Sequence, residues 1–393
     1  MSAMGFYEKL LTDDVFRSGR VGLLCNQTAY DFETQQYLFQ ILSQREVLKK
    51  LFLPEHGLFA ELQDQLPLTE TSVYSALGLK SEIVSLYGKT ESSLVVDKKH
   101  LENLDAIVID LQDVGSRYYT FLTTASYLFD TLKVYNLNLP VYVIDRKNPA
   151  GRFVEGTILP EKYASFIGRP GIIHRHALNT GEYFSYIHQM LSCRFPIKIL
   201  SPTNPQAACE IAPSPNLPTE TTAAVYSGQC LWEGTNLSEG RGTTRPFEIF
   251  GAPYLFEIHK INIPSELARP PGAILRKIRF IPTFHKHADQ TCDGFQIHLT
   301  EGPYHSLKHS LQLIRFIADQ KSGFDWRRGA YEFRSDRPAI ELLAGDDEMV
   351  AYLYGKGSFT RVEEKMADEE ATWIRRIEQT LGKIGLCGIA SPR

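Results

Sequence analysis

A chain of 393 residues, 43% hydrophobic and 22% charged, is long enough for two packed cores and too ordinary in composition for a disordered or fibrous protein. Its net charge of −4 lacks the basic footprint that nucleic acid or an anionic membrane requires. No apolar run approaches the roughly 20 residues of a spanning helix, so no membrane span is expected.

The opening "MSAMGFYEKLLTDDVFRSGR" has no apolar h-region, which predicts a cytoplasmic chain. Six scattered cysteines (Cys25, Cys193, Cys209, Cys230, Cys292, Cys387) never form C-x-x-C and read as reduced thiols in that compartment. "RVGLLCN" predicts a first strand. "DFETQQYLFQILSQREVLKK" follows as a helix, with Tyr37, Leu38, Ile41 and Leu42 at helical spacing. "KLFLP", "EIVSLYG" and "DAIVIDLQDVG" predict three more strands, "YYTFLTTASYLFDTLKVYN" a helix, and "LPVYVID" a fifth strand. Asn179 and Glu182 form a capping-box signature at the start of "NTGEYFSYIHQMLSC". Near-continuous apolar strands separated by helices predict an α/β fold with a mostly parallel sheet covered on both faces.

The stretch 201–222, rich in Pro, Ser and Thr, reads as a linker or a long loop. Beyond about residue 250 the pattern changes. "KIRFIPTFHKH" and "GFQIHLT" predict paired strands, with helices near 304–320, 338–355 and 364–382. The expected division is therefore 1–250 for the sheet domain and 251–393 for a smaller α/β domain.

Open parallel sheets bind ligands at the carboxyl ends of their strands. Five polar clusters fall there: "NQT" with Asn26, "PEHG" with Glu55 and His56, "YGKT", "DLQDVGSR" with Asp110, Asp113 and Arg117, and "DRKNP" with Asp145 and Arg146. Nucleotide sites are excluded first. The turn "CNQTAYD" lacks the glycines of a dinucleotide fingerprint, and "YGKT" has Ile83 where a P-loop needs glycine.

Glu55 at a rigid strand tip is a candidate proton donor, the alternative being a solvated acid capping a turn. His56 is either its companion or a structural imidazole. Asp110 is a candidate second carboxylate or half of an Asp–Arg brace, and Asp145 and Arg146 read as a turn pair. Arg117 suits a bidentate grip on a substrate carboxylate. Tyr118 and its neighbours are either core or a surface for stacking on sugar. "LWEGTNLSEGRGTTRPFE" reads either as a loop held by its own hydrogen bonds or as a binding loop using Asn236, Glu239 and Arg241. The pairs His174/His176 and His285/His287 bring no third ligand at a metal spacing, so no metal and no cofactor is expected.

"PEHG", "SLYGKT", "DLQDVGSRYYTF", "DRKNP", "VEGTIL", "TGE", "PSPNLPT", "LWEGTNLSEGRGTTRPFEIFGAPY" and "CDGFQIHLT", in this order, resemble the DUF1343 family of NamZ-type exo-β-N-acetylmuramidases. The resemblance spans about residues 20–385. It implies a Rossmann-like domain and a smaller carboxy-terminal domain with the active site in the cleft between them. It also implies release of N-acetylmuramic acid from the non-reducing end of peptidoglycan fragments, with the acid of P-E-H-G, here Glu55, as the catalytic residue. The partner group is left open among Asp110, Asp113, Glu233, Glu239 and the sugar's 2-acetamido group. Arg117 or Arg241 is expected to meet the lactyl carboxylate. Where the family commonly has a basic residue and glycine after the motif, this chain has "LFA", and where it commonly has "RHGMT" this chain has "RHALN". A catalytically silent sugar-binding module and a metal-dependent amidase or esterase are the alternatives.

Overall fold

The computed structural model describes residues 5–61, 74, 77–88, 90–203, 210–256, 262–320 and 323–388. Lys89 of "YGKT" and Cys209 lie outside the described residues. In chain order the strands longer than two residues are β1 (Val21–Cys25), β2 (Leu48–Leu53), β3 (Glu82–Ser85), β4 (Ala106–Asp110), β5 (Val141–Ile144), β6 (Phe153–Ile158), β7 (Ile173–Arg175), β8 (Ile197–Leu200), β9 (Ile249–Ala252), β10 (Ala273–Phe280) and β11 (Cys292–Leu299).

Two compact units form, one from residues 1–114, 119–148 and 178–218, the other from 115–118, 149–177 and 219–393. The expected border at residue 250 falls inside the second unit. Two contacts place it there: helix Glu220–Gln229 packs on helix Ser306–Gln320, and β9 pairs with β11.

The first unit is a six-stranded sheet in the order β8-β5-β4-β1-β2-β3, with every pairing parallel. The chain leaves β1 for β2 and β3 on one side, then crosses to β4, β5 and β8 on the other. The order therefore reverses between β1 and β4, and the crevice outside their carboxyl ends is where such sheets bind ligands. Leu23, Leu51 and Val108 are fully buried in one core cluster, as a sheet covered by helices requires. Helix Thr120–Val134 adds Phe121, Leu122, Ala125, Leu128, Phe129 and Leu132 to the interior.

The predicted helix over 31–50 is much shorter in the structure. Only Leu38–Gln44 is helical, preceded by a hairpin pairing Tyr30–Asp31 with Gln36–Tyr37. The cause is local: buried Asp31 accepts from the backbone N–H of Phe6 and Glu33 and from Thr34 Oγ1, and an acid bonded in this way competes with helix formation. The capping box of Asn179 and Glu182 forms as expected, opening helix Thr180–Met190.

In the second unit β9, β11 and β10 make an antiparallel sheet, and β6 pairs antiparallel with β7. The predicted helix over 338–355 is two helices, Ala339–Ala344 and Asp347–Leu353. Left-handed Gly345 ends the first, and Asp346 caps the second through the N–H groups of Glu348 and Met349.

Candidate active site

The most constrained stretch of the first unit's ligand edge follows β2. Leu51, Phe52 and Leu53 are buried and Pro54 ends the strand, so Glu55 leaves the sheet still only 5% exposed. Thr120, the first residue of helix Thr120–Val134, donates its Oγ1 hydrogen to Glu55 Oε2 at 2.6 Å. His56, Gly57 and Ala60 all adopt left-handed backbone, with φ of 72°, 84° and 54°. A Cβ on Gly57 would lie 2.7 Å from the Tyr74 hydroxyl, so only glycine fits there. Non-glycine residues in this region carry strain, which concentrates at functional sites. The His56 ring is nearly buried and meets Phe121 edge-on at 6.2 Å.

At the tip of β1, Asn26 is fully buried and its Oδ1 accepts from Thr28 N at 3.1 Å and Thr28 Oγ1 at 2.7 Å. Its Nδ2 has no hydrogen-bond partner among the described residues. Gln27 Nε2 and the Tyr119 hydroxyl both donate to Pro213 O, at 3.0 and 2.9 Å, which ties the "PSPN" segment to this edge.

At the tip of β4 the structure corrects an expectation. Asp110 is fully buried with both oxygens committed: Oδ1 to Arg146 Nε at 2.5 Å, and Oδ2 to the Tyr7 hydroxyl at 2.6 Å and to Arg146 Nη2 at 3.2 Å. Arg146 also donates to Thr28 O at 2.8 Å, linking the tips of β1, β4 and β5. A carboxylate so paired is a brace and not a free base, because withdrawing it would strand a buried guanidinium. Burial and the Asp110 carboxylate push the Tyr7 phenol well above its ordinary value. Arg146 does not pair with Asp145, which instead accepts from Gly181 N at 2.9 Å.

The second unit holds the remaining candidates. Glu239 is fully buried, with Lys286 Nζ at 2.9 Å, His285 Nδ1 at 3.0 Å and Arg241 Nε at 3.2 Å. Burial alone would raise its carboxyl, but these three groups hold it well below the usual carboxylate range. Arg241 Nη2 also reaches Glu233 Oε1 at 2.9 Å, and the Tyr331 hydroxyl donates to Glu233 Oε2 at 2.6 Å. Asn236 accepts from Tyr254 and Asp325 N, donates to Gly323 O, and takes a 2.7 Å contact from His287 Nε2 on its carbonyl. Arg241 is therefore engaged with two glutamates of the loop 231–248, while Asn236 and Glu239 tie that loop to residues 254, 285–287 and 323–325.

Arg117 differs. It is buried, its Nη2 donates to Leu343 O at 2.8 Å and sits 3.0 Å from His174 Nε2, and its Nε and Nη1 make no hydrogen bond among the described residues. Burial pulls its guanidinium below the ordinary value, and burial together with Arg117 pulls the His174 imidazole well below its own, leaving it neutral. Tyr118 is 2% exposed and packs edge-on against His174 and Tyr226, so it is core and no stacking surface.

Among the described residues no group of three or more His, Cys, Asp or Glu side chains is arranged to hold a metal ion, and no helix is long and apolar enough to cross a membrane.

Sequence reasoning missed Tyr7 and Thr120. Tyr7 lies in a segment without periodicity, and Thr120 looked like any helix residue, although a hydroxyl at a helix start facing a ligand edge is a usable signal.

Comparisons with known proteins agree over nearly the whole chain. The family model for the amino-terminal part of exo-β-N-acetylmuramidase NamZ matches residues 21–221, and the one for its carboxy-terminal part matches 224–382. The chain is 32% identical over 311 residues to the peptidoglycan β-N-acetylmuramidase NamZ of Bacillus subtilis (strain 168), covering 76% of this chain and 73% of that protein. Two crystal structures of DUF1343 family proteins from Bacteroides fragilis share the fold, at TM-scores of 0.75 and 0.69. Their identities are 22% and 23%, and each alignment covers 96% of this chain and 98% of theirs.

Proposed function

Because the chain belongs to the NamZ family of exo-β-N-acetylmuramidases, we propose that it is a glycoside hydrolase releasing N-acetylmuramic acid from the non-reducing end of peptidoglycan-derived saccharides. The observation that carries the mechanism is Glu55. It is a buried carboxyl on the ligand edge of a doubly wound sheet, fixed by the Thr120 hydroxyl in a turn that accepts left-handed strain to hold it.

Glycosidic cleavage needs a proton for the departing oxygen and a group on the opposite face of the ring. Glu55 supplies the proton. His56, seated on Phe121, orients the leaving sugar beside it. Asp110, Glu233 and Glu239 are each bound to cationic or phenolic partners within their own unit, which argues against them as the second group. Asp113 is buried three residues beyond the tip of β4. β2 and β4 flank β1, so their tips stand about 10 Å apart. The group opposite Glu55 is proposed to be Asp113 or the sugar's own 2-acetamido group. An Asp113→Asn variant that keeps full turnover would give that role to the sugar's 2-acetamido group instead.

Asn26 Nδ2 is proposed to donate to the substrate. Of the two arginines considered for the lactyl carboxylate, Arg117 keeps unused donors while Arg241 serves two glutamates, so Arg117 is the one proposed. Muramic acid differs from glucosamine by that carboxylate. The test is parallel turnover of the aryl β-N-acetylmuramide and β-N-acetylglucosaminide: selectivity for the muramide is expected, and an Arg117→Ala variant as selective as wild type would remove Arg117 from the role. A cytoplasmic place for the reaction is proposed on the cysteines, of which Cys25, Cys230 and Cys292 are free and buried.

A further inference from the structure

The first unit carries an exposed aromatic cluster on the edge where Glu55 lies. Phe32 is 44% and Phe59 39% exposed, two of the exposed large apolar side chains among the described residues. They are linked through two half-buried tyrosines. Tyr30 meets Phe32 at 5.1 Å and Tyr37 at 4.9 Å, and Tyr37 meets Phe59 at 5.7 Å, all edge-to-face. The cluster is anchored from below: Tyr37 stacks on Phe39 at 5.3 Å, and Phe39 is 1% exposed in the core of the unit. The hairpin bearing Tyr30, Phe32 and Tyr37 begins five residues past the end of β1 and is braced by Asp31. Phe59 sits in the strained turn that holds Glu55, its N–H fixed by Glu61 Oε2 at 2.9 Å.

Leaving Phe32 and Phe59 exposed forgoes part of the burial worth on the order of 1.5–3 kcal/mol for a large apolar side chain, and contiguous apolar patches mark binding surfaces. The face of an aromatic ring carries a negative quadrupole that attracts polarised C–H bonds. Those bonds line the face of a pyranose. Four residues of chain separate Phe59 from Glu55, a reach of about 14 Å at most, the span of a short saccharide.

We propose that Tyr30, Phe32, Tyr37 and Phe59 form a leaving-group subsite that stacks the uncharged N-acetylhexosamine ring next to the cleaved muramic acid. This rests on the muramidase reading of Glu55. The anionic lactyl sugar is held at Glu55 and the neutral sugar lies on the rings. Affinity for the sugar after the scissile bond, and with it the preference for a saccharide over isolated muramic acid, comes from this platform.

The test is calorimetric titration of MurNAc–GlcNAc, and of MurNAc alone, into the full chain carrying Glu55→Gln, with and without Phe32→Ala and Phe59→Ala together, and with Phe59→Trp. The double alanine change is expected to weaken the disaccharide about tenfold and leave the monosaccharide unchanged, while Phe59→Trp keeps disaccharide binding. Equal disaccharide affinity with and without the alanines, or no disaccharide binding in any variant, overturns the platform. Circular dichroism verifies the fold of each variant. Turnover separates the two readings. A wild-type chain that binds the disaccharide through Phe59 but never cleaves it keeps the platform and loses the hydrolase. Cleavage with a KM indifferent to Phe32 and Phe59 does the reverse.

Discussion

Thr120 Oγ1 donates to Glu55 Oε2 across 2.6 Å, joining the first residue of a helix to the residue that follows a strand by one proline. The bond fixes one oxygen of the carboxyl. In Thr120→Val, which keeps the shape and removes the hydroxyl, kcat is expected to fall about tenfold with KM within twofold, because a small misplacement of a proton donor acts on the chemical step. Steady-state kinetics on MurNAc–GlcNAc read this, and an unchanged kcat would deny Thr120 a positioning role.

The Asp110–Arg146 pair predicts a stability effect in place of a catalytic one. Asp110→Asn leaves a buried guanidinium without its carboxylate, at a cost of about 3–5 kcal/mol. Adding Arg146→Met is expected to recover part of the loss. Urea unfolding of both variants measures it, and an Asp110→Asn protein as stable as wild type but inactive would return Asp110 to the chemistry.

Glu239 predicts the acid limb of stability. Its folded carboxyl titrates well below its unfolded value near 4.3, so its contribution is complete above that value and is lost as pH falls below it toward the folded value. Glu239→Gln is therefore expected to be markedly less stable at pH 7, with the gap to wild type narrowing steadily as pH falls from about 4.5 to 3. Melting temperatures across that range give the slope, and a gap that widens in acid would contradict the pairing.

Ala60 sits at a φ of 54° in the turn that also holds Glu55. Glycine removes the left-handed penalty of about 1 kcal/mol and returns part of it through a freer unfolded chain, so Ala60→Gly is expected to stabilise by about 0.5 kcal/mol. Chemical denaturation detects this, and a destabilised variant would show that the Ala60 methyl packs usefully.

Glu55 and the strand tips were legible because apolar runs and proline mark where a strand stops, and parallel strands share a ligand edge. The pairings behind the tips were not. Asp110 meets Arg146 across 36 residues and Glu239 meets Lys286 across 47, and no spacing rule connects positions that only the folded sheet or loop brings together. The same limit hid the second unit's composition, since residues 149–177 join it from the middle of the first unit's sequence. The helix expected over 31–50 failed for a local reason, because the bonds of Asp31 outweigh a good helical spacing.

The central claim is that Glu55 gives the proton to the leaving oxygen. The most direct measurement is turnover by wild type and Glu55→Gln of two substrates, MurNAc–GlcNAc and para-nitrophenyl β-N-acetylmuramide. A sugar leaving group needs protonation and a nitrophenolate needs little, so the variant is expected to lose about 10²–10⁴-fold on the disaccharide and distinctly less on the aryl muramide, with its fold intact. Equal turnover of MurNAc–GlcNAc by the two proteins would contradict the assignment.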